Sequence, residues 1–159
     1  MVFNLNDCKL EYIVAPTYGK VVEIRRCSVT IYISVDDDHN VFAPIDGKIT
    51  KMETFEGEIT RYLKIFKSYE KKKGRVKIFI NGCLSISFWL EVGEGYVTDR
   101  VRLDRFEGDF VSRGENIGEI ILGSLSEIHL PESSLINVEE GDYLIGGETI
   151  IAFWNNYFP

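Results

Sequence analysis

Apolar and polar positions alternate with a period of two through much of the chain, as expected of strands that bury one face and leave the other to solvent. β-branched and aromatic residues mark Tyr12–Val14, Lys20–Ile24 and Val29–Ile33, with Pro16 and Gly19 breaking the first pair. The strictest alternation covers Leu84–Val92. A second apolar run, Val76–Ile80, precedes it, and Asn81-Gly82 supplies the turn between the two. One stretch departs from this period: within Glu56–Lys73, residues Ile59, Tyr62, Leu63 and Phe66 recur at helical spacing and predict a short helix.

Two internal repeats sharpen the picture. Ala15-Pro16-Thr17-Tyr18-Gly19-Lys20-Val21 returns as Ala43-Pro44-Ile45-Asp46-Gly47-Lys48-Ile49. Each copy reads as a proline-started turn with glycine at a position needing positive φ, leading into a strand. Glu107-Gly108-Asp109 with Gly114-Glu115 is echoed by Glu140-Gly141-Asp142 with Gly147-Glu148, and each copy precedes an Ile-rich strand. That spacing reads as a hairpin-like device. Together the patterns predict a mainly β fold, a duplicated barrel-sandwich hybrid with at most one or two short helices.

Composition narrows the function classes. A chain of 159 residues with 45% apolar and 13% aromatic content can bury a core as one domain, 1–159, and is not disordered. The net charge of −7 argues against a general nucleic-acid binder, because phosphate contacts need a basic surface. One basic cluster stands out, Lys71, Lys72, Lys73 and Arg75; it reads first as a polar loop tip, and as a contact for anionic lipid headgroups if the protein meets a membrane. Cys8, Cys27 and Cys83 show neither a disulfide framework nor zinc spacing, so a reducing compartment is the default. No window resembles a membrane span or a signal peptide, which predicts a cytoplasmic protein, at most peripheral to a membrane. Composition leaves a homodimer open.

Candidate chemistry centres on Gly123-Ser124, between an apolar run and the strand-like Leu125–Pro131. Alone, such a pair is a turn. Far upstream, Ser34–Pro44 carries His39, one of two histidines, behind the acidic run Asp36-Asp37-Asp38. A histidine exchanges protons near neutral pH, and a serine hydroxyl needs such a base to become a nucleophile. The acidic run lacks calcium-loop spacing and reads as a solvated turn. His129 lies between Ile128 and Leu130 in an alternating strand and reads as structural, as do Trp89 and Trp154.

The order of these motifs resembles the pyruvoyl-dependent phosphatidylserine decarboxylase proenzyme family over roughly residues 12–152. The carriers are Ala15–Lys20, Ser34-Asp37-His39 with Ala43-Pro44, Gly114–Ser124 and Gly141–Thr149. The resemblance implies self-cleavage at Gly123-Ser124, giving a β chain of 1–123 and an α chain of 124–159 that begins with a pyruvoyl group made from Ser124. The pyruvoyl carbonyl would then serve decarboxylation of phosphatidylserine, a phospholipid substrate met at a membrane surface. It further implies that His39 handles protons at this centre; Asp37, two residues earlier in an extended segment, would orient its ring. Two positions depart from the family pattern. Tyr18 stands where relatives carry the acid of the processing triad, and Phe42 where they carry a base. A phenol is a poor substitute for a carboxylate that must stabilise an imidazolium, so an uncleaved relative acting as a lipid- or partner-binding module is the alternative. Biotinyl and lipoyl carrier domains also show duplicated Gly-Asp turns, but no modified-lysine hairpin flanks Lys48 or Lys51.

Overall fold

The computed structural model describes residues 10–55, 74–92, 100–121 and 123–155; the segment 56–73, for which a helix is predicted, lies outside the described residues. The described residues form strands and turns and contain no helix, so none is long and apolar enough to cross a membrane. An eight-stranded antiparallel sheet dominates. Its order is β13 (Tyr143–Leu144), β2 (Gly19–Arg25), β3 (Ser28–Tyr32), β11 (Gly123–His129), β7 (Ser85–Val92), β6 (Arg75–Asn81), β5 (Gly47–Phe55) and β9 (Phe110–Val111). Two three-stranded sheets complete the architecture. One joins β1 (Leu10–Val14), β14 (Ile150–Asn155) and β12 (Leu135–Ile136); the other joins β4 (Asn40–Phe42), β10 (Asn116–Ile120) and β8 (Val101–Leu103).

The mainly β expectation follows from burial. On β7, Ile86, Phe88, Leu90 and Val92 are buried, while Trp89 and Glu91 face outward. Val76, Ile78 and Ile80 of β6, Val29 and Ile31 of β3 and Ile128 of β11 share the inner face. Ile13, Val41, Ile117, Ile120 and Ile151 of the smaller sheets pack against them. Burying each such side chain contributes about 1.5–3 kcal/mol, and a one-residue slip of β7 would exchange four of these for Ser, Trp and Glu.

The repeats prove to be partners rather than hairpins. In each case a turn motif of one copy pairs with the Glu-Gly-Asp motif of the other: Gly19 and Lys20 with Leu144 and Tyr143, Gly47 and Lys48 with Val111 and Phe110. The hydrogen bonds repeat as well. Val21 N donates to Asp142 O at 2.8 Å and Ile49 N to Asp109 O at 2.9 Å; Gly141 N donates to Val21 O and Gly108 N to Ile49 O, both at 2.8 Å. The two Ala-Pro turns therefore begin strands near opposite edges of the large sheet. Glycine is required there for space more than for dihedral freedom: φ is positive at Gly19 but not at Gly47, and a Cβ would strike the carbonyl of Tyr32 at the first and that of Asn81 at the second. Cys27 is free, whereas Cys83 is disulfide-bonded, which the scattered cysteine spacing did not suggest.

Candidate active site

The Gly-Ser pair opens β11, near the middle of the large sheet. Gly123 pairs with Val92 and Leu125 with the adjacent Glu91, so Ser124 is the extra residue of a β-bulge. Pairing with β3 starts only at Leu125 opposite Tyr32. Gly123 and Ser124 thus lie just beyond the last β3 pair, where the chain leaving β3 becomes the Ile33–His39 loop. Bulges unpair one residue and bend the strand, and they recur beside active sites.

His39 reaches this end of the sheet through its backbone. Its carbonyl accepts the N–H of Ile120 at 2.8 Å, extending the β4–β10 ladder to within three residues of Gly123. The side chain is half-buried. On the other flank of β10, Ile121 N donates to Arg100 O at 2.6 Å. The strand entering the Gly-Ser pair is held from both sides.

Asp37 sits in a different local setting from the one expected. The segment before His39 is a turn, not an extended strand: Asp37 Oδ2 accepts Ser34 N at 2.8 Å, and Asp37 N donates to Ser34 O at 3.0 Å. Its other oxygen, Oδ1, accepts the Tyr143 hydroxyl at 2.6 Å. That bond, with smaller contributions from burial and nearby negative charge, pushes the Tyr143 phenol up to about 12. Asp38 Oδ1 likewise accepts Asn40 N at 2.8 Å. Short acidic side chains cap a tight turn in this way, which accounts for the Asp run.

The two departures from the family pattern touch each other. The rings of Tyr18 and Phe42 lie 6.0 Å apart at 55°, and both pack against Gly146, where a Cβ would come within 2.9 Å of either. The second repeat shows what an acid does at this position: Asp46 Oδ1 accepts Arg113 N at 2.7 Å, and Arg113 is the counterpart of Gly146. Asp46 immediately precedes β5, whereas Tyr18 immediately precedes β2 near the opposite edge of the sheet.

Sequence reasoning missed Thr17 and Ser126. Their hydroxyl oxygens are 2.6 Å apart, and both residues are 1% exposed. This bond ties the first turn motif to the strand that begins with the Gly-Ser pair; no local pattern marks it. On the outer face, Thr30, Arg75, Trp89, Glu91, Leu125, Glu127 and His129 line a shallow cleft of about 270 Å³, with His129 Nε2 3.3 Å from Glu127 Oε1.

Residues 10–152 match the family model described as phosphatidylserine decarboxylase. The chain belongs to the phosphatidylserine decarboxylase family. It is 31% identical over 127 residues to the phosphatidylserine decarboxylase proenzyme of Granulibacter bethesdensis, covering 80% of this chain and 51% of that protein. It is 31% identical over 151 residues to the protein of the same name from Prosthecochloris aestuarii, covering 88% and 68%. A Methanosarcina mazei relative, provisionally named an archaetidylserine decarboxylase proenzyme, is 28% identical over 145 residues, covering 91% and 68%. The chain thus spans about half the length of the first of these relatives and about two thirds of the others.

Proposed function

We propose that this chain is a self-cleaving proenzyme that decarboxylates a serine-bearing phospholipid, phosphatidylserine in the simplest case, yielding the ethanolamine lipid and carbon dioxide. The observation that carries the reading is the position of Gly123-Ser124 in a bulge at the mouth of β11, where the His39 loop and β10 converge. Glycine before the serine leaves the carbonyl open to approach. The Ser124 hydroxyl adds to the Gly123 carbonyl and displaces the Ser124 nitrogen, turning amide into ester. Loss of the Ser124 Cα proton then expels the Gly123 carboxylate, and one water releases ammonia, leaving a pyruvoyl group at position 124. His39 takes the hydroxyl proton in this scheme. The pyruvoyl carbonyl supplies an electron sink for the carbon–carbon bond that breaks. Asp37 acts indirectly, by fixing the turn that carries His39 through Ser34 and Tyr143.

Cleavage need not separate the pieces. Residues 124–159 supply nearly all of β11, between β3 and β7, and all of β14, paired with β1. The Thr17–Ser126 and Asp37–Tyr143 bonds also span the cut. The product is expected to behave as one body of two chains.

A second reading, an uncleaved lipid- or partner-binding member of the family, draws support from the Tyr18–Phe42 packing, which fills the place of the triad acid with an aromatic pair. Carbon dioxide release from phosphatidylserine dispersed in detergent separates the two. The first reading expects turnover by the wild type and none by Ser124→Ala; no turnover by either supports the second.

A further inference from the structure

The outer face of the sheet carries a feature that cleavage and decarboxylation do not use. Along β5, β6, β7 and β9, every cation lies over an aromatic ring. Lys48 Nζ is 5.9 Å from the centre of Phe110, and Lys51 Nζ is 5.9 Å from that of Phe79. Lys77 Nζ sits between Phe79 at 4.9 Å and Trp89 at 4.7 Å, and the Arg75 guanidinium is 5.8 Å from Trp89. Phe55 packs against Trp89 at 5.5 Å. Strand register makes this one continuous strip: Phe55 pairs with Arg75, Lys51 with Phe79, Lys77 with Trp89, and Lys48 with Phe110.

Four cations on these strands face two carboxylates, Glu53, which pairs with Lys51, and Glu91, which lies opposite Arg75. The strip is therefore net positive on a chain of net charge −7. Among the described residues, no carboxylate lies within ion-pair distance of Arg75, Lys77 or Lys48. Glu127 on β11 flanks it on one side, and Glu107, which accepts Met52 N at 2.8 Å, on the other. Aromatic rings that carry long basic side chains match the headgroup zone of a bilayer, where the rings sit among glycerol groups and the cations among phosphates. The strip also reaches the reactive end: Gly74 O accepts the N–H of Val92, and Val92 pairs with Gly123.

We propose that this strip is the face by which the protein docks on an anionic bilayer, laying the Arg75–Phe55 end beside the mouth of β11. The proposal rests on the lipid reading above but not on cleavage. Its test is co-sedimentation of uncleavable Ser124→Ala protein with phosphatidylcholine vesicles, with and without phosphatidylglycerol. Binding is expected only when the anionic lipid is present. Lys51→Gln/Arg75→Gln/Lys77→Gln should weaken it on the order of 100-fold, since each cation is worth about fivefold near such a surface. A control with the same charge change elsewhere, Arg25→Gln/Arg26→Gln/Arg102→Gln, should lose no more than a few-fold. In a Trp154→Phe background, brominated acyl chains should quench Trp89. Equal loss in both triple variants, binding indifferent to lipid charge, or preference for a single-stranded oligonucleotide over vesicles would overturn the proposal. Autocleavage and turnover in detergent without vesicle binding would remove the docking face and leave the decarboxylase reading intact; anionic binding by a chain that never cleaves would do the reverse.

Discussion

Replacing Thr17 by valine removes one hydroxyl while keeping the shape of the side chain. The Ser126 hydroxyl, 2.6 Å away and 1% exposed, then stays buried with no partner among the described residues. Leaving a buried hydroxyl unsatisfied costs about 1–3 kcal/mol, whereas removing both partners of a hydrogen bond is close to neutral. Thr17→Val and Ser126→Ala should therefore each destabilise by roughly 2 kcal/mol, and the double variant by less than their sum, with a coupling of about 1–2 kcal/mol. For a chain of this size, 2 kcal/mol corresponds to a drop of roughly 4–8 °C in Tm. The measurement is urea unfolding followed by tryptophan fluorescence, in a Ser124→Ala background so that a single intact chain unfolds and refolds. Additive single effects, or singles within about 0.5 kcal/mol of the parent, would refute the claim that this bond ties the first turn motif to β11.

Three further predictions follow from the same neighbourhood and its surroundings. Because Asp37 raises the Tyr143 phenol to about 12, one tyrosine should ionise late in an alkaline absorbance titration; Asp37→Asn should return it toward the ordinary value of 10.0, and an unchanged curve would remove that bond. Glu115 is held below its ordinary 4.5, first by the N–H of Ser112 and, against a burial cost, by Arg105 at 2.8 Å. A depressed folded-state value means stability that is present above pH 4.5 and lost as pH falls through the lower, folded value, so Glu115→Gln should lower Tm at pH 7 with a deficit that closes on acidification; a deficit independent of pH would contradict this. Tyr18→Asp should place a carboxylate where it can accept Gly146 N–H, as Asp46 accepts Arg113 N, and should speed autocleavage by roughly tenfold or more, read as intact mass against time; a slower rate would show that position 18 does not hold an acid in this chain.

The fold was legible where one side of a strand is buried. On β7 the alternation seen in sequence is the alternation of burial, because each outward residue has an inward neighbour in the core. The two-residue strands β9 and β13 were not legible. They exist only through pairing with β5 and β2, contacts that no window of local sequence contains. The same limit applies at the site. Gly123-Ser124 and His39 stand out as residue types, and the topology brings their backbones to one end of the sheet. The local shape around Asp37 was not legible, since the spacing reads as an extended segment where Ser34 and Asp37 close a turn. Tyr18 and Phe42 each read as isolated departures, yet they form one ring contact between the first turn motif and β4. Thr17 and Ser126, 109 residues apart, carried no sequence signal at all.

The central claim is that Gly123-Ser124 is a scissile, reactive pair, and intact-mass spectrometry of the purified full chain beside Ser124→Ala tests it most directly. The account predicts two co-purifying fragments in the wild type, divided between Gly123 and Ser124, with a pyruvoyl mass on the second and a single chain in the variant. One species near the full 18.2 kDa in both would contradict it and leave the uncleaved reading in its place.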